Sequence, residues 1–145
     1  MLGRSTWWCA PAEQSPKDET DSGDVSRLAW ITVRDGTTLS YWIFPQSDAT
    51  TPWVSAGSDD STCVAVDLIF TDGSDLRDSD ATDQSGTGMH PADQCGHLTL
   101  DAWNHVTVNL GAVKAGQAIS KILVGYDRPG ATGGYRGYLD DLSIA

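Results

Sequence analysis

The chain has 145 residues, enough for one domain, with six tryptophans and four tyrosines to fill a single core. Its net charge is −11, and eighteen of its twenty acids are aspartate, the carboxylate of turns, caps and metal ligation rather than of helical surfaces. Nine scattered basic residues form no patch for phosphate, which argues against nucleic acid, and no run approaches the roughly 20 apolar residues of a membrane span.

Residues 1–24 contain "APAEQSPKDETDSGD", polar, charged and without periodicity, and read as a disordered or linker-like arm. Trp7 and Trp8 stand out in it as the remnant of a first strand or a tag. The opening residues hold no apolar core of signal-peptide length, so an extracellular role would make the chain a piece of a larger protein or an engineered chain. From Val25 to Ala145 the pattern is that of a single module. "VSRLAWITV" (25–33) predicts a strand, and Asp35-Gly36 predicts a hairpin turn into "TLSYWIFP" (38–45). There Leu39, Tyr41 and Ile43 alternate with Ser40, Trp42 and Phe44. A loop covers 46–62.

"CVAVDLIFTDG" (63–73) predicts the next strand, with Val64, Val66, Leu68 and Phe70 on one face and Ala65, Asp67 and Ile69 on the other. It closes on a second Asp-Gly. The polar segment 74–96 is long for a compact domain, a length that goes with function or with a bridge or ion that structures it. Cys63 and Cys95 flank it. A disulfide between them would tether it and suit an oxidising compartment; two separate buried thiols are the alternative. Cys9 is left over.

"HLTLDAWNHVTVNLG" (97–111) returns to strand character, with Val106, Val108 and Leu110 alternating with His105, Thr107 and Asn109. Residues 112–120 read as a turn-rich connection, "KILVGYD" (121–127) as a strand, "RPGATGG" as a tight loop exposing Tyr135 and Arg136, and "YRGYLDDLSI" (135–144) as the last strand. No stretch keeps a 3.6-residue period over ten residues. Short alternating strands with Gly, Asp and Pro turns predict an all-β, antiparallel sandwich.

The pieces "DGTTLSYWIFP", "VAVDLIFTDGSDLRD", "HPADQCGHLTLDAWNHVTVNLG", "ISKILVGYDRPG" and "YRGYLDDLSI" together resemble, in their order, a galactose-binding-like jelly-roll β-sandwich over residues 25–145. Such modules accompany secreted actinobacterial glycoside hydrolases such as α-mannosidases. The resemblance implies a secreted, non-catalytic carbohydrate-binding-like module whose partner is a glycan or the catalytic domain of a parent enzyme. It also implies a structural Ca²⁺ at the last strand, at the matching positions Asp140 and Asp141. Strict alternation would send those two carboxylates to opposite faces, with Tyr138, Leu142 and Ile144 in phase with Asp140. Residues 1–24 do not fit the family's opening strand, which would leave one sheet short of an edge strand.

Chemistry is sparse beside this. No G-x-S-x-G elbow occurs, and eighteen aspartates make chance carboxylate pairs common, so catalysis is not expected. The run D-S-D-A-T-D (78–83) matches a calcium loop only at its first and third ligands, and a solvated loop is the better reading. Sugar binding needs an aromatic platform flanked by planar polar groups. The candidates are Trp42, Asp67, His105, Tyr126, Arg136 and Tyr138, with Trp53, Tyr135, Asn109 and Asp127 as further possibilities. Asp67 and His105 would line one face if their strands were neighbours. Trp30 and Trp103 are assigned to the core and Trp53 to an exposed loop.

Overall fold

Alternation in the sequence becomes two antiparallel sheets sharing one core. The computed structural model describes residues 10–11, 31–47, 60–130 and 135–145. The strands are β1 (Ala10–Pro11), β2 (Ile31–Thr32), β3 (Thr38–Pro45), β4 (Val64–Phe70), β5 (Asn104–Asn109), β6 (Ala118–Tyr126) and β7 (Gly137–Ile144). Among the described residues the helical content is one turn, Gly111–Lys114, and a 3-10 turn at Asp60–Thr62. The expected all-β class is what the structure has.

One sheet is β5-β3-β7, with β3 in the middle. In the other, β6 pairs along its length with β4 and, across its opposite edge, with β1 at Ile122 and Lys121 and β2 at Ile119 and Ala118. Part of the predicted N-terminal arm is therefore strand: Ala10–Pro11 takes an edge position expected to be missing. The remaining arm residues, with Trp30 and Trp53, lie outside the described residues.

The core lies between the sheets. Leu39, Tyr41 and Ile43 of β3, with Val106 and Val108 of β5, meet Val64, Val66, Leu68 and Phe70 of β4 and Ile119 of β6, all buried. Burying this apolar area is the main favourable term, about 25 cal/mol per Å². Tyr41 spans the gap: its hydroxyl accepts the Val66 N–H at 3.3 Å, which satisfies a buried donor on the side of β4 away from β6. Burial pushes the Tyr41 hydroxyl pKa well above its usual value.

Three local expectations change. Asp35-Gly36 does make a tight turn, with Thr37 N–H donating to Arg34 C=O, but β2 and β3 enter different sheets. Of the two central residues Gly36 alone has positive φ (+82°), a type II pattern that splays its flanking strands; a two-residue hairpin would need a primed turn. Asp72-Gly73 does form a hairpin: Phe70 N–H bonds Ser74 C=O, and Leu76 N–H returns to Leu68 C=O. Third, β6 begins at Ala118, inside the predicted connection, because Ala118 and Ile119 pair with β2 and Ile119 pairs with Phe70 of β4. Pairing across the sheet overrides a turn-like composition.

Residues 74–96 are a folded flap. They run from the open edge of β4, through the Ile69–Asp75 bridge, to the open edge of β5, through the Asp83–Val108 bridge. The flap buries Leu76, Ala81 and Met89 in the common core. A disulfide joins Cys63 to Cys95 and fixes its far end. This flap explains why β4 is buried on both faces.

Candidate functional site

The outward positions of the β5-β3-β7 sheet carry its chemistry. Leu39, Tyr41 and Ile43 point inward, so Ser40, Trp42 and Phe44 point out. Register then fixes their neighbours. Phe44 lies opposite Tyr138 of β7, and Trp42 lies between Asp140 of β7 and His105 of β5. Trp103, one residue before β5, extends the Phe44 row: its ring is 5.5 Å from Phe44, and Tyr138 is 6.0 Å away on the other side, both at 65°. In the next row His105 stacks on Trp42 at 4.8 Å with a 30° tilt. Trp42 is 39% exposed, the one exposed large hydrophobic side chain among the described residues. Beyond it lies a hydroxyl row of Ser143, Ser40 and Thr107. At the other end Gln46 and Arg136 pair through Gln46 N–H to Arg136 C=O.

Two devices hold the face in place. Asn104 organises the turn before β5: its Oδ1 accepts the Thr99 N–H and its Nδ2 donates to the carbonyls of Thr99 and Ala102. That pins Trp103 beside Phe44. Gln84 reaches from the flap to the outer edge of β5, accepting the Thr107 N–H at 2.8 Å and donating to His105 C=O at 2.7 Å. It continues the ladder with a side chain and fixes the backbone under His105.

The Asp140–Asp141 pair turns out to be a bulge. Ser40 opposes Ser143 and Trp42 opposes Asp140, so one β3 residue, Tyr41, faces two on β7. Asp141 takes φ +49°, the left-handed conformation that aspartate tolerates, and its N–H bonds Asp140 Oδ1 at 2.9 Å. The slip reverses the phase expected from strict alternation. Leu139 opposes Ile43 and Ile144 opposes Leu39 on the core side, while Tyr138 and Asp140 share the outer face. Calcium requires six to eight oxygens. Two carboxylates, one already holding a backbone N–H, fall short of that. Among the described residues no group of three or more His, Cys, Asp or Glu converges on a metal position.

The other predicted ligand residues lie elsewhere. Asp67 is on β4 in the opposite sheet, only 3% exposed, so it cannot share a face with His105. Its Oδ1 accepts the N–H groups of Leu68, Leu76 and Arg77, tying the flap to the strand. Burial pushes its pKa up, opposed by those three N–H groups. Tyr126 is half-buried on β6 and stacks on Tyr135 at 6.2 Å. Tyr135, expected to be exposed, is 7% exposed, and burial raises the pKa of its hydroxyl. Trp103, assigned to the core, is half-buried on the outer face instead.

A second polar cluster sits at one end of the β4-β6 pair. Asp127 Oδ2 lies 3.7 Å from Arg77 and 3.8 Å from His90. These half-exposed pairs are worth little individually. The flap aspartates mostly serve turns: Asp75 accepts the Asp78 N–H, and Asp83 accepts those of Ser85 and Thr87. Ser74 engages the Asp72 carboxylate through its hydroxyl and N–H and lowers its pKa.

Among the described residues no helix is long and apolar enough to cross a membrane. No family model matches the sequence, and no curated protein matches it, so the functional reading rests on this geometry.

Proposed function

We propose that the chain is a non-catalytic carbohydrate-binding-like module of the galactose-binding-like jelly-roll type, carried by a secreted glycoside hydrolase. The observation that supports the reading is the outer face of β5-β3-β7. It combines an exposed Trp42 with Phe44, Tyr138 and Trp103, flanked by Asp140, His105 and hydroxyl side chains. Sugars present apolar C–H faces ringed by hydroxyls, and such a mixture of aromatic area and hydrogen-bonding groups is complementary to them. The disulfide suits an oxidising compartment.

The competing reading is a packing module that uses this face against a catalytic domain and binds no ligand. Calorimetry of the isolated chain across a broad glycan panel separates the two. Glycan binding weakened at least tenfold by Trp42→Ala or Tyr138→Ala, about 1.4 kcal/mol, supports the module. A panel without binding supports packing. Chromogenic glycosides and esters should show no turnover; turnover would establish a small hydrolase.

A further inference from the structure

We infer that this face takes a single soluble, uncharged glycan chain lying across β3, and not the flat surface of a crystalline polysaccharide. The inference rests on the glycan-binding reading of the same face.

Three observations carry it. The row Tyr138–Phe44–Trp103 runs perpendicular to the strands, with ring centres 6.0 and 5.5 Å apart. That spacing is close to the advance per sugar in an extended β-linked chain, so successive sugars can meet successive rings. Second, both outer rings are inclined 65° to Phe44, and Trp42 and His105 are inclined 30° to each other. A crystalline polysaccharide offers a plane and needs coplanar rings beneath it. A ridged face meets a plane at a few edges only, but follows one chain whose sugars rotate about their linkages. Third, Asp140 lies beside Trp42 within a protein of net charge −11. A polyanionic chain would meet repulsion there, strongest at low salt. An uncharged chain meets no such repulsion and finds the His105 ring and the Trp42 indole in the adjoining row, with the hydroxyls of Ser40, Thr107 and Ser143 one row further on.

The test uses the unaltered chain. Neutral β-linked gluco-, xylo- and mannooligosaccharides of one to six sugars are titrated by calorimetry. Cellulose and chitin powders are tested by depletion, and polygalacturonate stands as the anionic arm. Affinity should climb at least tenfold from the monosaccharide to the trisaccharide and then level off. A bound hexasaccharide should also protect Trp42 from N-bromosuccinimide, read by mass spectrometry, which requires no variant to fold. Equal affinity for one and six sugars, retention by powders alone, tighter binding of polygalacturonate, or unprotected Trp42 would overturn the inference while leaving glycan binding in place. Absence of binding to every member would overturn both.

Discussion

Asp141 adopts φ +49° where β7 slips against β3, and that single residue decides which side chains face the core. Because of the slip, Leu139, Leu142 and Ile144 all pack against buried residues while Asp140 stays outside. A β-branched residue pays about 1–2 kcal/mol for this conformation, so Asp141→Val should lower stability by that order in urea titration, whereas Asp141→Gly should be neutral or slightly stabilising. Equal stabilities would contradict the bulge. Asp67 makes the second residue-level prediction. Its pKa is raised from 3.8, so between that value and its folded pKa the native state binds more protons than the unfolded chain. Its contribution to stability is therefore greatest below pH 3.8 and falls as pH rises through the window. Asp67→Asn keeps an oxygen for the three N–H groups and cannot ionise. Its stability relative to wild type should improve as pH rises from about 4 and then plateau. Asp67→Ala removes this acceptor from the Leu68 and Arg77 N–H groups, while Leu76 N–H keeps Leu68 C=O, and should cost about 2 kcal/mol. A difference between Asn and wild type that does not vary with pH would show that Asp67 carries no such proton linkage.

Among the elements, β3, β4 and β5 are legible in sequence because Leu39-Tyr41-Ile43, Val64-Val66-Leu68-Phe70 and Val106-Val108 repeat with period two. What stayed hidden depends on partners. Residues 138–142 contain no signal for a bulge until β3 is laid beside them. Ala118 and Ile119 become strand only through pairing, and the two Asp-Gly turns look alike although only one forms a hairpin. The same limit applies to the site. Trp42, His105 and Tyr138 were legible as aromatic or polar interruptions of strands, but Phe44 and Trp103 join them only through cross-strand register. The flap is held by its disulfide, which closes a 32-residue separation. Chain-entropy reasoning assigns such a crosslink about 3–4 kcal/mol. A double Cys63→Ser, Cys95→Ser variant should lose that order of stability. Its amide hydrogens between 74 and 96 should exchange faster than those of β3. Uniform acceleration across both sheets would mean that the flap is not a separate unit.

At the scale of the molecule, the flap seals the β4 and β5 edges, and the outer face of β5-β3-β7 remains the surface that joins an exposed tryptophan to hydrogen-bonding groups. Since Asp140 and Asp141 serve the bulge, the thermal midpoint should be the same with Ca²⁺ and with chelator. A ligand held only by the folded state would raise it, so an increase with Ca²⁺ would contradict this expectation. The central claim is tested most directly by amide chemical-shift mapping during titration with a neutral oligosaccharide. Perturbations should concentrate at residues 42–44, 103–107 and 138–140 and be lost in Trp42→Ala. Perturbations centred on Arg77, His90 and Asp127, or none at saturating sugar, would contradict it.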